Sequence, residues 1–154
     1  MFRHYLWSPS RKSYVRGHHK INGCLFCKIV EDSPEVPKKV IFRGRKFVVI
    51  MNIFPYSPGH LEIIPVRHVE SIEELNKDEY KELWDYVKKG IMLLKAVLRP
   101  DGFNVGINLG GDISGASIAH LHIHIVPRYK SNPPITDIEK IYKLMIKRID
   151  EKGF

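Results

Sequence analysis

The stretch HLHIHIV, residues 120–126, places an imidazole at every second position of an apolar run. Side chains alternate between the two faces of a β-strand, so a strand here presents a row of imidazoles on one face and apolar side chains on the other. The row is His120, His122 and His124, and the opposite face is Leu121, Ile123 and Ile125. One alternative is a half-exposed edge strand that is rich in histidine for no chemical reason. Three titratable rings side by side are costly to remove from water, which favours a functional row.

Length and composition favour one compact domain. The chain has 154 residues, of which 44% are hydrophobic, and it contains no internal repeat and no long linker. No apolar stretch approaches the roughly 18 to 20 residues that span a bilayer. The N-terminal sequence MFRHYLWSPSRK lacks the apolar centre of a signal peptide. We therefore expect a cytoplasmic protein that does not cross a membrane.

The chain is strongly basic. The 25 basic and 17 acidic side chains give a net charge of +8, which favours anionic partners such as nucleotides or nucleic acid. Residues 1–20 contain five basic side chains and no acidic one, interleaved with Tyr5, Trp7 and Tyr14. Such an arm could bind nucleic acid by stacking and charge, or it could pack its apolar residues on the domain and leave its charges in water. We separate this arm, residues 1–20, from a domain of residues 21–154.

The order of the predicted elements indicates an α+β domain on an antiparallel sheet. Strands are predicted at 47–53 and 61–66, joined as a hairpin by FPYSPG, and a further strand at 103–109. A Ser71–Glu74 capping box and a helical stripe of apolar residues predict one long helix from Ser71 to Pro100. The stripe consists of Tyr80, Leu83, Trp84, Val87, Ile91, Leu94 and Leu98, which we expect in the core. A last amphipathic helix is predicted at about 136–151.

The histidine strand can support chemistry at phosphorus. An imidazole nitrogen is a good nucleophile near neutral pH, and a neighbouring imidazole can move protons. The preceding segment GGDISGAS, residues 110–117, can bring backbone N–H groups close to phosphate oxygens, although a turn of this composition is common. Arg128, just beyond the strand, offers a fixed positive charge for phosphate binding.

These residues resemble the histidine-triad (HIT) family, whose signature His-φ-His-φ-His-φ-φ, with φ apolar, is matched in full by HLHIHIV. NIFPYSPGHLEIIPVRH, residues 52–68, is similar to the family's nucleoside-binding hairpin, and GINLGGDISGASIAH, residues 106–120, to the approach to its triad. The resemblance implies a HIT-like antiparallel sheet with one long central helix and a C-terminal helix. It also implies nucleotidyl hydrolase or transferase activity and a homodimer.

The resemblance implies a role for individual residues. His122 would be the nucleophile that attacks an α-phosphate to form a covalent nucleotidyl-histidine, with His120 and His124 beside it. Ser117 and His124 would hydrogen-bond the bridging oxygen. The remaining contacts would be Asn52 to ribose, Asn108 to phosphate, His60 as support for the triad, and Gly115, in Gly115–Ala116–Ser117, where the family commonly has Gly-Gln-Ser. Asn52, His60 and Asn108 each also have a purely structural reading, as a turn residue, a loop residue and a buried amide.

Within the family, LWSPSRKSYV followed by CLFC is similar to the branch that acts on dinucleoside polyphosphates such as diadenosine tetraphosphate. That branch often has W-x-P-W-R, whereas this chain has Ser10 at the second tryptophan. The implied activity is hydrolysis or phosphorolysis of such a substrate. Two alternatives stay open: hydrolysis of nucleoside phosphoramidates or adenylylated adducts, and a non-catalytic, zinc-stabilised module that binds nucleotide or nucleic acid.

Cys24 and Cys27 form a Cys-x-x-Cys pair in a chain without other cysteines. Two thiolates do not complete a tetrahedral zinc site, which needs two more ligands. Zinc-bearing members of the family complete it with two histidines, which here correspond to His68 and His120. We therefore predict structural zinc, and His120 would then serve as a ligand instead of in proton transfer. The alternative is a pair of reduced, half-buried cysteines.

Overall fold

A computed structural model of the chain describes residues 21–154, so the basic arm predicted for residues 1–20 lies outside the described residues. Within residues 21–154 the elements are three α-helices, five β-strands and two short 3-10 helices. In chain order they are α1 (Leu25–Val30), β1 (Val40–Arg43), β2 (Phe47–Met51), β3 (Leu61–Pro65), a 3-10 helix (Ile72–Glu74), α2 (Lys77–Leu98), β4 (Gly102–Ile107), a 3-10 helix (Gly111–Ser114), β5 (Ile123–Arg128) and α3 (Ile138–Lys152).

The strands form one antiparallel sheet in the order β1-β2-β3-β5-β4, which confirms the predicted α+β class. The hairpin of β2 and β3 is confirmed, although its strands end at Met51 and Pro65. Two elements were not predicted, the short helix α1 and the strand β1. In the described part of the chain, no helix has the length and apolar character that crossing a membrane requires.

The histidine strand begins later than its sequence pattern predicts. The pattern indicated a strand over 120–126, whereas β5 starts at Ile123 and runs to Arg128. His120 and His122 precede the strand, outside the β-ladder. Between them, the N–H of Leu121 donates to the carbonyl of Val69 at 2.6 Å. The half-exposed edge strand is excluded, because β5 lies between β3 and β4 and all three histidines are buried.

The predicted long helix is two elements instead of one. The Ser71–Glu74 capping box is present, but it starts only the 3-10 helix, and α2 begins at Lys77 with its own capping box from Asn76 and Glu79. The side chain of Asn76 accepts a hydrogen bond from the N–H of Glu79 at 2.9 Å, which satisfies a donor that has no partner inside the helix. Pro100 follows the C-cap and prevents continuation of the helix.

The other boundaries differ by a few residues from the predicted ones. The strand predicted to reach residue 109 ends at Ile107. The last helix starts at Ile138, where Asp137 serves as N-cap and accepts the N–H of Lys140 at 2.7 Å. The asparagine and aspartate caps thus set two helix starts that apolar periodicity alone does not locate.

The sheet has an apolar layer on each face. One face packs on α2 and α3, and its core includes Leu121, Ile123 and Ile125 as the alternation predicted. The helical stripe of α2 is only partly buried in this layer: Leu83, Val87, Leu94 and Leu98 are core residues, whereas Tyr80 and Trp84 are exposed. The other face packs on α1 through Phe26, Ile29, Val48, Ile50 and Ile64. The histidines share this second face, so α1 covers the side of the sheet that carries the histidine row.

Candidate active site

A single row of side chains crosses the sheet beneath the site. The pairing register places Ile50 of β2 opposite Glu62 of β3, Glu62 opposite His124 of β5, and His124 opposite Gly106 of β4. Cross-strand neighbours lie on one face of a sheet. A carboxylate therefore lies between the hydrophobic wall of the hairpin and the third histidine of the triad.

The ring of His122 is held by a hydrogen bond to the backbone. Its Nδ1 lies 2.8 Å from the carbonyl oxygen of His120. A carbonyl oxygen only accepts, so Nδ1 carries the proton, and the lone pair of a neutral ring is on Nε2. The edge of the ring also packs on Phe26 of α1, with ring centroids 4.9 Å apart. The fold thus fixes the orientation of the His122 ring and places the lone pair of the neutral ring on Nε2.

A second chain of hydrogen bonds fixes the proton of His124. The N–H of Tyr56 donates to Nδ1 of His60 at 3.3 Å, so the proton of a neutral His60 is on Nε2. That atom lies 3.0 Å from Nδ1 of His124 and donates to it. A neutral His124 therefore carries its proton on Nε2. His60 is completely buried and in contact with the third histidine of the triad, so it is not an exposed loop residue.

Glu62 is a site residue that the sequence interpretation missed. It is only 5% exposed. Its Oε1 accepts a hydrogen bond from Nδ2 of Asn52 at 2.8 Å and lies 3.4 Å from Nδ1 of His124. The signal that could have revealed it is a single charged residue in the apolar run LEIIP, at a position whose neighbours along the strand are all buried.

His60, Glu62 and His124 also offer three ligand atoms close enough to hold a metal ion. The hydrogen-bond pattern opposes this use. With the N–H of Tyr56 directed at Nδ1 of His60, the Nε2 of that ring is protonated and has no lone pair for a metal. We therefore describe this trio as a hydrogen-bonded network.

A cavity of about 640 Å³ opens beside the histidine row. Its apolar wall comes from α1 and the sheet, and its polar wall lies next to the triad. The apolar residues include Ile21, Leu25, Phe26, Ile29, Ile50 and Ile118, and the polar ones near the row are Asn52, Glu62, Ser117 and His122. An apolar pocket with a few convergent polar groups is typical of a small-molecule site.

Asn52 has a structural task as well as a place in the cavity wall. Its Oδ1 accepts the N–H of Phe54 at 2.7 Å, which is the turn role that its position suggested. Its Nδ2 donates to Glu62. These two bonds fix the orientation of the amide.

The glycine-rich segment approaches the cavity as a tight turn. Gly110, Gly111 and Gly115 all have positive φ, which side chains disfavour, and the N–H of Ala116 donates to the carbonyl of Gly111 at 3.0 Å. Ser117, two residues after Gly115, lines the cavity.

The two remaining residues predicted to contact phosphate, Asn108 and Arg128, lie at opposite ends of the β4–β5 pair. Asn108 directly follows Ile107, which pairs with Ile123, so its position continues the ladder toward His122. Arg128 pairs with Gly102 at the far end of β5, four residues beyond His124. With about 3.3 Å per strand residue this is a separation of roughly 13 Å. The structure does not bring Arg128 to the cavity.

Cys24, Cys27, His68 and His120 converge from three segments, with their four ligand atoms within 4.8 Å of one another. The Sγ atom of Cys27 lies 3.2 Å from Nδ1 of His68 and 3.6 Å from Nδ1 of His120, which is also 3.4 Å from Sγ of Cys24. Tetrahedral zinc bonds of about 2.3 Å to sulfur and 2.0 Å to nitrogen place such atoms roughly 3.5 Å apart. The Nε2 atom of His120 lies 2.9 Å from the carbonyl oxygen of Pro65, so it carries the proton and Nδ1 has the lone pair that a metal needs.

The protonation of this cluster also fits a cation. Burial, together with the hydrogen bond and the charge of Cys24, raises the pKa of Cys27 to about 11. Burial lowers the pKa of His120, with only partial compensation from its bond to Pro65. Without a cation these shifts keep the thiol of Cys27 protonated and the imidazole of His120 neutral. The neutral imidazole is the form that a metal needs, and a bound cation would favour the thiolate.

Comparison with known proteins agrees with this architecture. The family model of the HIT domain matches residues 33–131. The AP-4-A phosphorylase of Mycobacterium tuberculosis is 37% identical over 131 residues, which cover 80% of this chain and 67% of that protein. Among solved structures, a hypothetical histidine triad nucleotide-binding protein of Sulfolobus tokodaii superposes with a TM-score of 0.74 at 27% identity, covering 84% of this chain and 97% of that one. A Zn-bound histidine triad family protein of Mycobacterium smegmatis superposes with a TM-score of 0.71 at 25% identity, covering 84% and 94%.

The matched range contains all five strands and the three histidines of the row, so the fold and the site define the same class of protein. The chain belongs to the HIT family. Cys24 and Cys27 precede the matched range, and His68 and His120 lie within it. The candidate metal cluster therefore joins an N-terminal segment to the HIT domain.

Proposed function

We propose that this protein cleaves a dinucleoside polyphosphate, such as diadenosine tetraphosphate, at the α-phosphate through a covalent nucleotidyl-histidine on His122. The observation that supports this most directly is the hydrogen bond from Nδ1 of His122 to the carbonyl of His120, which leaves the lone pair on Nε2 at a cavity wall. The similarity to an AP-4-A phosphorylase supports the choice of substrate class.

In the first step, Nε2 of His122 forms a bond to the α-phosphorus, and the bond from that phosphorus to the bridging oxygen breaks. The leaving chain departs with the electron pair on that oxygen. The proton on Nε2 of His124 and the hydroxyl of Ser117 donate hydrogen bonds to this oxygen and stabilise its charge. The carbonyl of His120 stabilises the positive charge that the ring of His122 gains.

In the second step, an oxygen of water or of inorganic phosphate bonds to the same phosphorus, and the phosphorus–nitrogen bond breaks. The electron pair returns to Nε2 of His122, and the proton of the attacking oxygen passes to solvent. Water as acceptor makes the protein a hydrolase, and phosphate makes it a phosphorylase. Both use the same nucleophile.

The rest of the site binds the substrate in two parts. The apolar cavity beside α1 receives the base, and Asn52 lies where the sugar joins it. The backbone N–H groups around Gly115 and the side chain of Asn108 serve the phosphate chain. Arg128 has no part in this arrangement.

The cluster of Cys24, Cys27, His68 and His120 would hold structural zinc. When bound, zinc would supply a cross-link between the first turn of α1, the end of the hairpin and the approach to the triad. His120 is then a ligand, and its contribution to catalysis is made through its backbone carbonyl. A homodimer and a cytoplasmic location stay predictions.

Incubation with diadenosine tetraphosphate, with and without inorganic phosphate, tests the proposal. ADP that appears only when phosphate is added identifies a phosphorylase, and AMP with ATP in its absence identifies a hydrolase. A phosphoramidate such as adenosine 5′-phosphoramidate is the matched alternative substrate. Turnover of none of these by zinc-loaded protein that still binds nucleotide would contradict the enzyme and favour a binding module.

A further inference from the structure

Glu62 is a buried carboxylate beside the third histidine of the triad, and the mechanism above gives it no task. Only 5% of the residue is exposed, and its Oε1 lies 3.4 Å from Nδ1 of His124. Asn52 donates to the same oxygen at 2.8 Å. Burying an ionised carboxylate is costly, so a charged residue at this position needs a chemical reason.

The second step of the mechanism releases a proton that needs a carrier. Water loses a proton when its oxygen bonds to phosphorus, whereas inorganic phosphate attacks with an oxygen that is already ionised. A side chain that takes such a proton speeds the step by about 10²- to 10⁴-fold. A base at the right place therefore favours water over phosphate as the acceptor of the nucleotide.

The histidines of the site already use their lone pairs. In the intermediate, Nε2 of His122 is bonded to phosphorus, and its Nδ1 carries the proton that is donated to the carbonyl of His120. The lone pair of a neutral His124 is on Nδ1, which accepts from Nε2 of His60. The Nδ1 of His60 in turn accepts the N–H of Tyr56. The proton of the attacking water therefore needs another acceptor.

Of the titratable side chains that line the cavity in the described part of the chain, Glu62 is the one suited to this task. The others, apart from His122, are Lys28, Lys38, Lys39 and Glu35. A lysine ammonium has donors and no acceptor. Glu35 is paired with Lys28 and has a side chain that is 65% exposed. It also precedes the edge strand β1, which β2 and β3 separate from the histidine strand β5.

Glu62 lies beside the place where the acceptor oxygen has to enter. Attacking and leaving groups are in line at phosphorus, so the acceptor enters on the side from which the bridging oxygen left. The proton of His124 marks this side in the mechanism above. Glu62 is paired with His124 across β3 and β5, which lie about 4.8 Å apart. A water molecule bound at this position would lie next to the carboxylate.

We propose that Glu62 is a catalytic residue of the second step, whose carboxylate takes the proton of the attacking water and makes the protein a hydrolase. The oxygen of water bonds to phosphorus, the phosphorus–nitrogen bond breaks, and its electron pair returns to Nε2 of His122. The proton bonds to a carboxylate oxygen of Glu62 and passes to solvent when the nucleotide leaves. The inference rests on the proposed function, because it needs the nucleotidyl-histidine.

Asn52 acts as the positioning residue for this carboxylate. Its Nδ2 donates to Oε1 of Glu62, and its Oδ1 accepts the N–H of Phe54 at 2.7 Å, which prevents the amide from turning over. A carboxylate has about four lone-pair sites, so the bond to Asn52 leaves it able to accept a further proton. The pair therefore holds a base at a fixed place in the cavity wall.

The charge of Glu62 acts in the same direction. A carboxylate and inorganic phosphate repel each other, and the repulsion is stronger at a buried site than in water. Diadenosine tetraphosphate brings its own phosphate chain to this place, but the contacts of its nucleoside with the cavity offset the repulsion. Free inorganic phosphate has no such contacts, so it competes poorly with water.

Rapid quench with labelled diadenosine tetraphosphate separates the two steps, since the label first appears on the protein and then leaves it. The full-length parent should release AMP, and added phosphate should change its products little. Glu62→Gln should form the adduct within about threefold of the parent rate. It should lose the adduct to water about 100-fold more slowly. Added phosphate should then make ADP the main product of this variant.

Rescue by a small carboxylate distinguishes a base from a structural residue. Glu62→Ala should also lose its adduct slowly to water, and formate should speed this loss about tenfold or more by taking the place of the missing carboxylate. Formate should not speed the parent. Ile64→Val is the matched control, since Ile64 is buried in the same strand and on the same face, and both of its steps should keep the parent rates. Melting curves identify variants that fold, and Glu62→Ala with formate decides if Glu62→Gln does not.

Four results would overturn the inference. They are mainly ADP from the parent when phosphate is present, loss of adduct to water from Glu62→Gln at the parent rate, equal slowing of both steps in that variant, and no effect of formate on Glu62→Ala. Equal slowing assigns Glu62 a structural role. All four leave the covalent intermediate intact, whereas a parent that forms no adduct contradicts the proposed function itself and this inference with it.

Discussion

The ring of His120 and the ring of His122 are two residues apart and are linked through one backbone group. The carbonyl of His120 accepts the proton on Nδ1 of His122 at 2.8 Å, while the ring of His120 points to Cys24 and Cys27. The group that orients the proposed nucleophile therefore belongs to a residue of the candidate metal cluster. Distortion of the cluster should reach the active site through this carbonyl.

Replacing His122 by Asn should abolish turnover and leave nucleotide binding measurable. The amide cannot form the covalent intermediate, so kcat should fall by about 10³-fold or more. Rapid quench with labelled substrate should show a phosphoramidate-linked adduct on the parent and none on the variant. An unchanged melting temperature is the control, and substantial remaining activity would exclude His122 as the nucleophile.

Protein purified without chelator should contain about one zinc per chain, as expected for a four-ligand structural site. Cys24→Ser should lose the metal and melt at lower temperature, because one ion would join three separated segments. A chelator should lower the melting temperature of the parent and leave that of the variant unchanged. Negligible metal in the parent, together with equal melting of parent and variant, would show that the cluster is not a zinc site.

The activity left after replacement of His60 should depend on whether the new side chain can still donate a hydrogen bond to His124. Gln can place its NH2 group toward Nδ1 of His124, whereas Leu offers no donor. We expect His60→Gln to keep about tenfold more activity than His60→Leu, mainly in kcat. Equal activity of the two variants would mean that the hydrogen bond between the rings at 3.0 Å does not fix the proton of His124.

The N-terminal cap of α2 should make stability depend on pH. Hydrogen bonds from Arg67 lower the pKa of Glu79, as do the backbone of Asn76 and the charge of Arg67. The pKa of Glu79 is lower in the folded protein than in the unfolded chain. Its stabilisation is therefore fully present at pH values above the unfolded pKa, and it is lost as the pH falls through the folded pKa. Arg67 is half exposed and water screens the pair, so Glu79→Gln should cost about 1 kcal/mol near neutral pH.

Chemical denaturation at pH 7 and at pH 3 checks this prediction. The difference between parent and Glu79→Gln should shrink at the lower pH, because protonation of Glu79 removes the charge that Arg67 and the backbone of Asn76 stabilise. Glu151→Gln removes an exposed ion pair with Lys147 within α3 and is the control, with an effect of about 0.3 kcal/mol. If the difference in free energy of unfolding between parent and Glu79→Gln is the same at both pH values, the effect of the substitution arises from packing.

Local patterns in the sequence determined much of this protein. Alternation with period two placed the three histidines opposite Leu121, Ile123 and Ile125, because successive side chains of an extended chain point to opposite sides. The hairpin, the α+β class and the HIT family also followed from stretches of neighbouring residues. The spacing of Cys24 and Cys27 suggested a metal-binding pair, whereas its partners His68 and His120 were predicted from the family resemblance and not from spacing.

Tertiary structure decided what depends on residues distant in the chain. Strand β1 and helix α1 are too short for their periodicity to show, and they form because the sheet offers an edge and an apolar face. Burial, and not local sequence, separated Tyr80 and Trp84 from the core of α2. Arg128 is near His124 in sequence but is carried away from the site because β5 is extended. Glu62 became a site residue only when pairing of β3 with β2 and β5 set its carboxylate between Asn52 and His124.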